Sequence, residues 1–286
     1  MRPPAAGTLD ELLARTGQVM AGAVTRPGDG ELRVGVDLGT AYTVVVVTDE
    51  RGWPVAGAYR FAKVVRDGVV VNFHGAVRLL SALKSDVEER LGRPLTQAAS
   101  GFPPGVARGS VRAVEHVLEG AGLTCSGLVD EPNAANAVLG VTDGAVVDVG
   151  GGTTGIAVFR NGELCTVADE PTGGTHVSLV LAGALGVPFD EAEELKRDPA
   201  RAAELFPIVR PVFEKIGVIV RDVVAPFQVE TVHLVGGTCR FPGIDRVVAE
   251  TTGIRTTVPS DPLFVTGLGL AYHDRAPVTI ATEDRQ

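Results

Sequence analysis

The chain carries one local pattern twice: a β-branched strand ending in aspartate, a tight turn of glycine and threonine, and a second β-branched strand. The first copy is LRVGVDLGTAYTVVVVT, residues 32–48, and the second is AVVDVGGGTTGIAVF, residues 145–159. Asp37, Gly39 and Thr40 take the places that Asp148, Gly150 to Gly152 and Thr153 hold in the second copy. A repeat constrains a fold more than a single motif does, because each unit must bury its apolar face in a similar way. Two similar α/β lobes are expected. Glycines in such a turn leave backbone N–H groups uncovered, and successive uncovered N–H groups form a concavity that suits phosphate. The threonine hydroxyls add donors, and the neighbouring aspartate supplies a carboxylate for a phosphate-bound Mg²⁺. A plain hairpin is satisfied by Asn-Gly or Asp-Gly, so three consecutive glycines exceed its needs. Two such turns, one from each lobe, could grip one polyphosphate between them.

With 286 residues, 45% of them hydrophobic, the chain can build two sizeable cores. Its net charge of −9 argues against a general nucleic-acid or acidic-membrane surface. Cys125, Cys165 and Cys239 form no CxxC pair, and the five histidines are scattered, so a zinc or redox site has no support. No apolar run reaches the roughly 18 residues of a membrane span. The amino end lacks the basic-then-apolar order of a signal peptide, and a cytoplasmic protein is expected.

Residues 1–30 read as a helix and linker. Leu9, Leu12, Leu13, Thr16, Val19 and Met20 fall at helical spacing, Thr8 and Glu11 can form a capping box, and Pro27-Gly28-Asp29-Gly30 ends the piece. This helix either packs on the body or docks a partner. Residues 31–140 make the first lobe and residues 141–286 the second. Helices are expected at 76–91, 106–119 and 133–139 in the first lobe, and at 189–197 and 203–224 in the second. The last should kink or restart at Pro207 and Pro211. A third glycine-rich turn, Gly236-Gly237-Thr238, follows a strand at 231–235. A final helix at 262–273 holds Gly267 and Gly269. Each costs about 1 kcal/mol relative to alanine, which implies close approach by backbone or ligand.

Four stretches resemble one superfamily in order and spacing. VGVDLGTAYTVVVV and DVGGGTTGIAVF are similar to the two phosphate loops of the actin and DnaK-type heat-shock ATPases. DEPNAANAVLG resembles their first interdomain connection, and LVGGTCRFPGI their adenosine loop. The resemblance implies the α/β actin-like ATPase fold, ribonuclease H-like duplicated lobes with a nucleotide cleft between them. Within it, EPNAANAVLG, VADEPTGGTHVS and EAEELKR look like the ethanolamine-utilisation EutJ family. Those are chaperone-like proteins associated with the adenosylcobalamin-dependent ethanolamine ammonia-lyase and its microcompartment.

The resemblance further implies ATP or ADP with Mg²⁺ as ligands. Asp37 and Asp148 would orient the metal through water, and Glu131 would orient the attacking water. Gly39, Thr40 and Ala41 would face the terminal phosphates, with Gly150, Gly151, Gly152, Thr153 and Thr154 holding them from the other lobe. Gly236, Gly237, Thr238 and Arg240 would flank adenosine, with Glu194 and Arg197 near its ribose or base. Gly173 and Gly174 would lie at the second interdomain connection, and Asp261 at the start of the helix that closes the site. The heat-shock proteins carry a terminal-phosphate lysine after the first loop. Only Lys63 and Lys84 are near, and neither sits in a matching motif, so slow turnover or binding alone is expected. Two other readings stay open. One is a polymerising or scaffold protein of the MreB or PilM type. The other is a small-molecule kinase, which no additional Asp or His motif supports.

Overall fold

The computed structural model describes residues 8–25 and 28–274. Outside them lie the start of the 1–30 piece, Pro27 of the linker and the last residues of the 141–286 lobe. Two five-stranded sheets dominate the described residues. The first has the order β3-β2-β1-β6-β7, from β1 (Arg33–Leu38), β2 (Tyr42–Thr48), β3 (Pro54–Phe61), β6 (Gln97–Phe102) and β7 (Thr124–Asp130). A short hairpin, β4 (Val65–Arg66) and β5 (Val69–Val70), stands apart. The second sheet has the order β10-β9-β8-β11-β12. Its strands are β8 (Gly144–Val149), β9 (Thr154–Arg160), β10 (Glu163–Glu170), β11 (Thr231–Val235) and β12 (Arg255–Thr257). In each sheet the first three strands in sequence pair antiparallel, and the next two add in parallel. The repeat seen in two hairpins therefore extends to both whole sheets, as the actin-like fold requires.

Helices fill three layers. On the outer face of the first sheet, α2 (Phe73–Leu91) and α3 (Arg108–Gly120) bury Leu80, Leu83, Val87, Val117 and Leu118. Against the second sheet lie α5 (Gly174–Leu185), α6 (Phe189–Arg197), α7 (Ala202–Val224) and α8 (Ile244–Thr252), whose core includes Leu181, Phe213, Ile216 and Val247. Between the sheets sit α4 (Glu131–Leu139) and α9 (Val265–His273), with Ala135, Val138, Val265, Leu268 and Tyr272 buried. This arrangement accounts for the unbroken valines of β2. Val45 and Val47 enter the outer core while Val44 and Val46 enter the middle layer, so both faces of the strand are dry.

The first helix, α1 (Leu9–Met20), joins the middle layer through Leu12, Leu13, Val19 and Met20. Its capping box is present: Glu11 N donates to Thr8 Oγ1 at 3.2 Å and Thr8 N to Glu11 Oε2 at 2.9 Å. Arg15 Nε donates to the Pro54 carbonyl at 2.9 Å and its guanidinium lies over the Trp53 ring.

Of the expected kink or restart, the restart does not occur: α7 runs through both Pro207 and Pro211. The two prolines stand four apart on the exposed side, where water can satisfy the carbonyls they leave unpaired. The opposite face buries Leu205, Val209, Val212, Phe213, Ile216 and Val220, and that burial holds the helix together.

Candidate functional site

Both repeated turns close in the same way. Gly39 N donates to the Tyr42 carbonyl at 3.0 Å, and Gly150 N donates to the Thr153 carbonyl at 3.0 Å. The turns face each other across a cleft. A Cβ on Gly151 would come within 2.8 Å of Ala41 Cβ, and one on Gly152 within 2.8 Å of Thr40 Oγ1. The glycines are thus demanded by the opposing turn, and a side chain at either position would push the lobes apart. Behind the second turn, Gly174 N donates to the Gly150 carbonyl at 3.0 Å and Thr175 N to the Gly151 carbonyl at 2.7 Å. Thr238 Oγ1 donates to the same Gly150 carbonyl at 2.7 Å, tying the third glycine-rich turn to the second.

The cleft encloses about 270 Å³, near the lower end of the ~300–1,000 Å³ of small-molecule sites. The residues around it include Asp37, Gly39, Thr40, Ala41, Glu131, Asp148, Gly150, Gly151, Gly152, Thr153, Arg197, Gly236, Gly237, Thr238 and Arg240, all named from the sequence. Five expected residues stand elsewhere, Glu194 among them. Thr154 is fully buried behind the turn and donates to the Thr172 carbonyl at 2.6 Å. Gly173 and Gly174 pack against the backbone of Gly150 and Gly151, so they brace the turn from behind. Asp261 is turned away from the cleft. Its backbone is left-handed at φ 49°, and its carboxylate lies against Gly17 of α1.

Glu194 is corrected by one position. It is exposed, and its neighbour Glu193 lines the cleft with 4% exposure. Glu193 Oε2 accepts from Ser178 Oγ at 2.5 Å and from Lys196 Nζ at 2.6 Å, and Lys196 also donates to the Gly174 carbonyl at 3.1 Å. Burial holds the Lys196 ammonium below the usual lysine range, with Glu193 opposing that effect. The spacing Glu193, Lys196, Arg197 places all three on one helical face. Lys63 instead pairs with Asp190, over the Phe189 ring, and Lys84 pairs with Glu88 on α2.

The floor of the cleft is acidic. Burial raises the Asp37 carboxyl from 3.8 to about 7, with the charge of Asp148 adding to the effect. Burial also raises Asp148, opposed by the hydroxyl of Thr266, which donates to Asp148 Oδ2 at 2.5 Å. Glu131 is pushed well above the carboxylate range by burial and then by Asp37, Asp148 and Asp169. Asp169 rises to about 6 through burial, and one of its oxygens is buried without a hydrogen-bond partner among the described residues. Neither Thr266 nor Asp169 carries a sequence signal, because each meets the site only through folding. Carboxylates held close together without a cation between them suit a bound divalent ion. Among the described residues, no three His, Cys, Asp or Glu side chains are arranged to hold a metal directly. Among the same residues, no helix is long and apolar enough to cross a membrane.

Known proteins resemble this chain at several levels. The family model for cell division protein FtsA matches residues 145–269, and that for MreB/Mbl protein matches residues 54–181. MreB5 of Spiroplasma citri, bound to AMPPNP, superposes with a TM-score of 0.67 at 16% identity, covering 85% of this chain and 95% of that one. That is a likeness of fold. The crystal structure of ethanolamine utilization protein EutJ from Carboxydothermus hydrogenoformans superposes at 0.88 with 47% identity, over 92% of this chain and 97% of the other. Ethanolamine utilization protein EutJ of Salmonella typhimurium is 41% identical over 249 residues, 87% of this chain and 88% of its own. With two matching sheets, two opposed glycine turns and this identity along nearly its whole length, the chain belongs to the EutJ family of ethanolamine-utilization proteins, on the actin-like ATPase fold.

Proposed function

We propose that this protein binds ATP with magnesium in the cleft and closes its lobes around the phosphates. We further propose that closure assists or reactivates the adenosylcobalamin-dependent ethanolamine ammonia-lyase. The observation that carries the nucleotide reading is the pair of glycine-threonine turns held face to face, each backed by an aspartate. The N–H groups of Gly39 to Ala41 and of Gly150 to Thr153 would receive phosphate oxygens from opposite sides. Asp37 and Asp148 would orient magnesium through its water shell, and Glu131 would hold the attacking water. When bound, the metal would offset phosphate charge and polarise the transferred group. Glu193, Lys196, Arg197, Gly236, Gly237, Thr238 and Arg240 would flank adenosine. Lys63 and Lys84 are engaged elsewhere, which supports slow turnover.

Because phosphates touch turns from both sheets, losing the terminal one would relax closure, and the protein would act as a switch on its partner. Calorimetry of Mg-ATP binding to wild type, Asp37→Ala and Asp148→Ala tests the site; equal affinities in all three would defeat it. Co-purification with the ammonia-lyase, strengthened or weakened by nucleotide, tests the partner. The FtsA and MreB/Mbl matches favour one second reading, nucleotide-controlled assembly. Sedimentation of polymers with Mg-ATP, and no capture of the lyase, would put it first.

A further inference from the structure

The three acids of the cleft come from three different elements, and all three elements are gauged against α9. Asp37 lies on β1, where a Cβ on Gly35 would come within 2.1 Å of the Gly267 carbonyl. Glu131 opens α4, and there a Cβ on Gly269 would come within 1.8 Å of the Ala134 carbonyl. Backbone meets backbone at both places, so α9 fixes the heights of β1 and α4 with little play.

The link to Asp148 is different in kind. It is a single side chain, Thr266, one residue before Gly267. Its hydroxyl donates to Asp148 Oδ2, and the two residues are 2% and 6% exposed. On the other side, Asp148 Oδ1 lies over Gly236, where a Cβ would stand 2.3 Å away, and Gly236 N donates to the Pro262 carbonyl just ahead of α9. Asp148 is thus held between the amino end of α9 and a loop that α9's own approach segment anchors.

We infer that Thr266 is the positioning residue for Asp148: its hydroxyl sets the carboxylate rotamer and registers it to the helix that also aligns Asp37 and Glu131. This rests on the reading that Asp148 faces a magnesium-bound phosphate. A hydroxyl spends one carboxylate oxygen and leaves the other for the cleft, whereas a freely rotating carboxylate would have to be ordered each time the ligand bound. The bond joins a donor to a charged acceptor in a dry place, where such bonds are strong and their loss leaves the charge unsatisfied.

The test compares wild type with Thr266→Val, Thr266→Ala and Thr266→Ser by calorimetry of ATP, in excess magnesium and in chelator. Thermal melts are taken alongside to confirm folding. Wild type should bind ATP more tightly with magnesium than without it. Thr266→Val and Thr266→Ala should lose about tenfold or more of the affinity in magnesium while affinity in chelator stays unchanged. Thr266→Ser keeps the hydroxyl and should restore the magnesium effect. If Thr266→Val does not fold, the alanine and serine variants decide the matter. A valine or alanine variant with an undiminished magnesium effect overturns the inference, as does a serine variant that behaves like valine. Wild type with no affinity for Mg-ATP would instead defeat the reading of the site itself, so the two failures are distinguishable.

Discussion

Replacing Gly269 by alanine sets two opposing effects against each other. A glycine inside a helix costs about 1 kcal/mol relative to alanine, so propensity alone favours the substitution. Packing opposes it, because the added methyl carbon would stand 1.8 Å from the Ala134 carbonyl oxygen and 2.5 Å from its carbon, whereas ordinary contact begins near 3.4 Å. The helices α4 and α9 would have to part by roughly 1.5 Å, an overpacking that costs about 1–3 kcal/mol and here belongs at the upper end. The net expectation is a loss of about 2 kcal/mol, which lowers the melting temperature of a chain this long by about 4–8 °C. Gly183→Ala is the matched control. It sits in α5 with nothing within 4 Å of the new methyl, so it should gain up to about 1 kcal/mol and melt about 2–4 °C higher. Thermal unfolding by circular dichroism measures both. If Gly269→Ala melts as high as Gly183→Ala, the close crossing of the middle layer is wrong.

Other consequences can be checked separately. The Asp37 carboxyl is raised from 3.8 to about 7, so between those values the folded protein holds a proton that the unfolded chain releases. Stability without ligand should therefore fall as pH rises through this window, at up to about 1.4 kcal/mol per pH unit. Urea unfolding at pH 5, 6 and 7 should show that slope in wild type and a flatter one in Asp37→Asn; equal slopes would refute the assignment. Gly152→Val places branched carbons where Thr40 Oγ1 and Asp67 Oδ1 already lie within 2.8 and 2.3 Å of the first carbon. It should weaken Mg-ATP binding more than tenfold while helix content is kept, and unchanged affinity would show that the turns do not need to meet. Lys196→Met takes the nearer cation from the Glu193 carboxylate, whose side chain is 5% exposed, and leaves Arg197 at 3.9 Å. A loss of about 3 kcal/mol is expected, largely recovered in the double variant with Glu193→Gln. Additive losses would mean that the pair is not coupled.

What the sequence made legible was whatever is local. A turn whose glycines, threonines and aspartate lie within a few residues announces itself, and so does its duplicate. That the two lobes are alike followed from the repeat, whereas the order of the strands became clear only in the fold. Side-chain direction on a short amphipathic helix did not: Glu193 and Glu194 are adjacent, and only the packing of α6 against Ser178 decides which one faces inward. Asp261 does stand at the start of the closing helix, but its carboxylate lies against Gly17 of α1 and not in the cleft, which the sequence could not show. Pro207 and Pro211 do not restart the helix, because a breaker on the wet side of a well-buried helix is tolerated. The Thr266–Asp148 bond spans 118 residues and could not have been seen in one dimension.

The last described residue of the chain also matters to its beginning. Asp274 accepts from Val34 N at 2.8 Å, across 240 residues, and from Gln97 Nε2 at 3.0 Å, and Ser126 Oγ donates to it as well. Three strands of the first sheet are stitched together by a carboxylate that follows them by 148 to 240 residues. Domains often finish folding in the order they are synthesised. Here the half of the molecule that is made first lacks this tie until the residue that follows α9 has been made. The first lobe's strands therefore gain this side-chain tie only after every strand of the second sheet has been synthesised.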